Sequence, residues 1–179
     1  MPIDMKKMIA DTYMELAQHK NIDKISVKDL VETCNISRQT FYYHFQDVLE
    51  VLEWRVEQDI RATLARSIKA ESPKEATKIF VSACLAGRKT FERLIQSKRH
   101  AELEQIMVKA VRTYFSELFE RKGVLQELNR SDSNAIINFY TFGLVGLILE
   151  SSEIEEANVD RLVSQIQRIV SGEMIKFPE

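Results

Sequence analysis

Apolar residues recur every three or four positions along nearly the whole chain, the spacing of a helix with one buried face. Helix breakers are scarce, with five Gly and three Pro in 179 residues. That combination leaves little room for a strand-and-turn architecture. An all-α fold of about nine helices is expected. Apolar residues make up 45% of the chain and charged residues 29%, an ordinary globular balance that argues against disorder.

Met5, Met8, Ile9, Thr12, Tyr13, Leu16 and Ala17 mark a first amphipathic helix, with Asp4 as its N-cap, ending near Lys20. A short link over 21–25 follows. Ser26 then opens a short helix from Val27 to Thr33, and Asn35 can take the left-handed conformation that ends one. Ser37 is a second N-cap, for a short helix from Arg38 to His44. Asp47 caps a long helix, striped by Leu49, Leu52, Val56, Ile60, Leu64 and Ile68, of roughly 24 residues or ~36 Å.

Ser72-Pro73-Lys74-Glu75 is a strong helix start. That helix should break at Gly87, with a short successor around Phe91, Leu94 and Ile95. A helix from about His100 to Lys122 follows, with Gly123 placed to terminate it. Ser131 or Asp132 should cap the next helix. A polar loop spans Ser151 to Ala157, and a last helix carries Val159, Leu162, Val163, Ile166, Ile169 and Val170, stopping near Gly172.

From Ser133 to Leu149 no residue is charged. The run is 17 residues long and contains Ser133, Asn134, Asn138 and Thr141, whereas a membrane span needs ~20 mostly apolar residues. A buried helix is the expected reading, with no membrane partner. A helix apolar on every side must be covered on every side, and a second copy of the chain is the economical cover. Gly143 and Gly146 would allow another backbone to approach. A two-fold interface from Phe139, Gly143, Gly146, Leu147, Leu162, Ile166 and Ile169 is therefore expected.

Several functions are argued against. His19, His44 and His100 are scattered, so no metal site is expected. Cys34 and Cys84 form no CxxC pair, which fits packing residues in a reducing compartment, the cytoplasm. No Ser-His-Asp grouping, phosphate loop or HExxH motif occurs, so neither enzyme activity nor a cofactor is expected. The net charge is −2, distributed as −1 over residues 1–47, +4 over 48–123 and −5 over 124–179. Bulk charge therefore gives no support for binding nucleic acid; basic groups would have to gather on one face.

Two short helices joined by a three- or four-residue turn have the form of a helix-turn-helix. The second must bury a narrow stripe and leave its remaining side chains free for a major groove ~12 Å wide. Phe41 and Phe45, one turn apart, supply the stripe with Ile36. Arg38 can fork onto guanine or grip a phosphate, and Gln39 can pair with adenine. Ser37, Thr40, Tyr42 and His44 can bond phosphate oxygens. Tyr43 projects with them, and Ser26 and Lys28 at the head of the preceding helix complete the candidate DNA contacts.

The run Asn35-Ile36-Ser37-Arg38-Gln39-Thr40-Phe41-Tyr42-Tyr43-His44-Phe45 resembles the recognition segment of the tetracycline-repressor (TetR/AcrR) family of bacterial transcription regulators. The likeness covers roughly residues 5–52. A slighter likeness, to the branch near the dihydroxyacetone-kinase operon activator, rests on Tyr42 to Asp47 followed by Leu52-Glu53-Trp54. The resemblance implies a DNA-binding head over 1–46 and a helical regulatory and dimerisation domain over 47–179, with 47–70 as connecting helix. It implies a homodimer on a double-stranded operator, most simply a repressor modulated by a small-molecule effector or a partner protein. A ligand pocket is expected among Phe80, Cys84, Phe91, Tyr114, Phe115, Phe139 and Phe142, where the aromatics gather.

Three positions depart from the family pattern. The usual turn Gly is Asn35, the usual small residue after Arg38 is Gln39, and a Lys common after the Asp47 cap is Val48. The last change removes one backbone contact. With the lack of net positive charge it keeps open a module that binds protein instead of DNA, and the likeness to the operon-activator branch keeps open an activator under partner control.

Overall fold

The structure is a computed structural model, and it describes residues 4–87, 93, 96–150, 159–171 and 173–174. Among the described residues the regular structure is eight α-helices and one 3₁₀ turn, with no strand. The helices are α1 (Met5–His19), α2 (Val27–Thr33), α3 (Arg38–His44), α4 (Val48–Ile68), α5 (Pro73–Ala86), α6 (His100–Arg121), α7 (Arg130–Glu150) and α8 (Val159–Val170). The 3₁₀ turn, Ile22–Lys24, lies in the link after α1. The successor helix expected around Phe91, Leu94 and Ile95, the polar loop over 151–157 and the stop at Gly172 lie outside the described residues.

The chain forms two compact units. The first comprises residues 1–60 and 88–110, the second 61–87 and 111–179, so α4 and α6 each contribute to both. The first unit therefore takes in chain that lies well beyond the connecting helix.

The core of the first unit is built by Ile9, Ala10, Tyr13 and Ala17 of α1, Leu30 and Val31 of α2, Phe41 and Phe45, Val51 and Leu52 of α4, and Leu103 of α6. Burying a side chain such as Phe contributes about 1.5–3 kcal/mol. The Phe41 and Phe45 rings lie 6.1 Å apart, and Phe45 meets Trp54 edge-on at 6.2 Å. Burial pushes the Tyr13 hydroxyl up to about 12, so it stays neutral in this core. Polar ties join more distant chain to the end of α1 and the link after it. Arg93 donates to the carbonyls of Gln18 and Lys20, and the Lys98 N–H donates to the Asp23 carboxylate at 3.1 Å. Arg55 of α4 pairs with Asp11 of α1 at 2.5 Å.

In the second unit α5 packs against α8 and α7. Its start is built as the sequence suggests: the Glu75 N–H donates to Ser72 Oγ, with Pro73 at the first helical position. Glu75 reaches one residue further back than a capping box requires, to the N–H of Glu71 at 2.8 Å. Phe80, Val81, Val111, Tyr114 and Phe115 are buried in this unit's core. The Tyr114 hydroxyl donates to Ser67 Oγ of α4 at 2.8 Å. Beyond the end of α6, Gly123 has a φ of 73°, which lets the Val124 N–H return to the Phe119 carbonyl.

Some expectations are corrected. α4 stops at Ile68, where tight i to i+3 bonds from Lys69 and Ala70 close its last turn, so it has 21 residues instead of 24. α7 is capped by Asn129, whose Oδ1 accepts from the Asp132 N–H, because the helix begins at Arg130 ahead of Ser131 and Asp132. Leu162 and Ile166, expected on a dimer interface, are buried within the chain's own second unit, on the helix that packs against α5. α7 itself is not covered on all sides. Ile137, Thr141 and Leu144 face inward, while Phe139 and Phe142 are 60% and 57% exposed.

Candidate nucleic-acid interface and body cavity

The site is assembled from its caps. Ser26 and Asp29 form a reciprocal capping box at the start of α2: the Asp29 N–H donates to Ser26 Oγ, and the Ser26 N–H donates to Asp29 Oδ2 at 2.8 Å. The Lys20 ammonium sits on the other carboxylate oxygen of Asp29 at 2.5 Å. Lys20 first, and Ser26 second, hold the Asp29 carboxyl well below the usual carboxylate range.

The turn after α2 is closed by its backbone. Asn35 has a φ of 52°, and among the described residues it is the one non-glycine in the left-handed region. The Asn35 N–H returns to the Glu32 carbonyl and the Ile36 N–H to the Val31 carbonyl at 3.0 Å. This is the double closure that ends a helix sharply. The Cys34 thiol donates to Thr12 Oγ1 at 3.2 Å, fastening the end of α2 to α1. Cys34 is thus a packing and bonding residue of the joint.

Ser37 then caps α3 by accepting from the Thr40 N–H at 3.0 Å. Its hydroxyl also bonds the Thr40 hydroxyl at 2.8 Å, so these two side chains are held together. Phe41 and Phe45 are buried, as the spacing predicts. Arg38 and Gln39 are exposed. Tyr42 is 55% exposed and Tyr43 84%. His44 is half-buried and meets the Tyr43 ring edge-on at 5.0 Å. Ser26 and Lys28 are exposed on α2, where Lys28 stands 3.8 Å from Glu32. Among the described residues Arg38 makes no ion pair, so its guanidinium is available to a partner.

Asp47 accepts from the N–H groups of Leu49 and Glu50 and fixes the start of α4. Val48, in place of a basic residue, is half-buried against the head's core. Residue spacing alone did not point to Lys6 near this site; its ammonium lies 5.2 Å from the centre of the Phe45 ring. Arg93 and Asp23, which tie later chain to the head, also carried no sequence signal.

The second unit contains a cavity of about 640 Å³ between α5, α6, α7 and α8. Of the residues expected there, Phe80, Tyr114 and Phe115 line it, joined by Phe119 and Tyr140. Phe80 stacks on Tyr114 at 4.7 Å, and Phe119 meets Tyr140 edge-on at 4.9 Å. Cys84 does not line it; burial pushes its thiol up to about 12, which disfavours the thiolate. Phe139 and Phe142 are absent from the lining because they lie on the exposed face of α7, and Phe91 is outside the described residues. Burial likewise raises the Tyr114 hydroxyl to about 12. No helix among the described residues is long and apolar enough to cross a membrane.

A tight turn, a braced second helix and an exposed polar face give residues 26–45 the form of a helix-turn-helix. Residues 9–52 match the sequence profile described as bacterial regulatory proteins, tetR family. The matched stretch is 44 of the 179 residues. A curated relative, the HTH-type dhaKLM operon transcriptional activator DhaS of Lactococcus lactis subsp. lactis (strain IL1403), is 43% identical over 54 residues. That match spans 30% of this chain and 29% of the relative. Two solved structures share the fold over nearly the full length. The dihydroxyacetone kinase operon activator DhaS has a TM-score of 0.64 at 20% identity, covering 94% of each chain. A protein described as a TetR-family transcriptional regulator from Syntrophomonas wolfei str. Goettingen has a TM-score of 0.63 at 15% identity, covering 93% of this chain and 95% of its own.

Proposed function

We propose that this protein is a cytoplasmic, dimeric, DNA-binding transcription regulator whose α3 enters the major groove. One observation carries the reading: α3 buries Phe41, with Phe45 just past its end buried beside it, and leaves Arg38, Gln39, Tyr42 and Tyr43 on its open face. Arg38 and Gln39 read base edges. Ser37, Thr40, Tyr42, Tyr43 and His44, with Ser26 and Lys28 from α2, position the helix on phosphates.

The dimer forms through the open face of α7. Phe139 and Phe142 are exposed there, and a Cβ added at Gly143 or Gly146 meets nothing within 4 Å. Glycines with open space above them suit the approach of a second backbone. The two heads then meet half-sites a turn of DNA apart, ~34–36 Å, or a multiple of it. The aromatic cavity takes an effector, and its occupancy relieves repression. The relative named as a transcriptional activator favours a second reading, activation under partner control.

Selection of bound fragments from genomic DNA tests the proposal and names the target genes. Binding should weaken steeply with salt. If Arg38→Ala and Tyr42→Ala both leave the affinity for a recovered fragment unchanged at physiological salt, α3 is not the recognition helix.

A further inference from the structure

We propose that the cavity of the second unit binds a hydrophobic monoanion, an apolar body carrying one carboxylate or equivalent acid, and that Lys122 is its anchor. This rests on the reading of the body as the effector-binding part and specifies the chemistry of that site. At about 640 Å³ the cavity has the size of small-molecule sites. Phe80, Phe115, Phe119 and Leu144 make its wall apolar and largely aromatic. An apolar body gains by leaving water there.

Two charged side chains stand at this cavity, Glu71 and Lys122. They are not equivalent. Lys122 donates to the Ala70 carbonyl at 3.0 Å, and this holds its ammonium in place. An ammonium has three donors, so two remain for a ligand. A pre-positioned cation loses little freedom when it takes up an anion. Glu71, exposed like Lys122, lies in the turn before α5, and it is its backbone N–H, not its carboxylate, that bonds Glu75. The fixed charge at the cavity is therefore positive, and it selects an acid head over a neutral or basic one.

The test uses the full chain without DNA. Octanoate, octan-1-ol and octylamine are titrated calorimetrically into the wild type, Lys122→Met and Lys122→Arg. The expected result is octanoate binding about tenfold to a hundredfold more tightly than octan-1-ol, the range of a charge-assisted hydrogen bond. Lys122→Met should erase that preference and Lys122→Arg should keep most of it. Equal binding of acid and alcohol by the wild type, tightest binding of the amine, a preference that survives Lys122→Met, or no binding of any probe would each overturn the proposal. Operator binding is followed separately. Octanoate that binds through Lys122 without changing operator affinity leaves this inference standing and removes the regulatory reading instead.

Discussion

The backbone N–H of Ile36 donates to the carbonyl of Val31 across the turn between α2 and α3, with Asn35 between them at a φ of 52°. That bond sets where α2 stops and in which direction α3 leaves. It exists because Asn35 tolerates the left-handed region. Asn35→Gly should therefore be neutral or slightly stabilising. Asn35→Val should cost about 1–2 kcal/mol, visible as a lower urea midpoint, and should weaken DNA binding by misdirecting α3.

The two faces of α3 should respond oppositely to truncation. Phe41→Ala removes a fully buried ring and should cost about 3–5 kcal/mol, enough to unfold the head. Tyr43→Ala, at 84% exposure, should change stability by no more than about 0.5 kcal/mol while lowering DNA affinity. Thermal melts beside a binding assay separate the two effects.

Acid stability should depend on Asp29. Its folded carboxyl is held below its unfolded value, chiefly by Lys20. The unfolded carboxyl, near 3.8, takes up its proton first as pH falls. The stabilisation is thus complete above that value and declines as pH drops from about 4 towards the folded pKa. Asp29→Asn should lower the urea midpoint at pH 7 and flatten its fall below pH 4. An unchanged acid slope in the variant would place the linkage elsewhere.

Gly143→Leu and Leu162→Ala distinguish interface from core. A side chain at Gly143 meets nothing in its own protomer, so the variant should fold normally and lose the dimer, as light scattering would register. Leu162 is buried within the protomer, and Leu162→Ala should cost about 2–5 kcal/mol of stability. A Gly143→Leu protein that stays dimeric would move the interface off this face.

The head was legible from sequence because its signals are local. Ser26, Ser37 and Ser72 each cap a helix within three residues of themselves, and the spacing of Phe41 and Phe45 decides which side of α3 turns inward. The body was less legible for a physical reason. α7 is apolar on every side, so periodicity does not say which side its own chain covers, and Phe139 and Phe142 were as plausible inside as Tyr140 and Leu144. The stripe on α8 shows that Leu162 and Ile166 are buried but not that α5 is what buries them. Lys122 and Ser67 were missed because their partners, Ala70 and Tyr114, are 52 and 47 residues away.

Leu103, Arg93 and Lys98 belong to the same compact unit as α1 to α3, and this has a consequence during synthesis. A ribosome adding about 5–20 residues per second needs roughly 3–10 s to pass from residue 60 to residue 110. Throughout that interval α1 to α3 exist without the chain that completes their core, and the carbonyls of Gln18 and Lys20 await Arg93. The nascent head therefore begins to form before the chain that completes it, and matures only once residues 88–110 have been made.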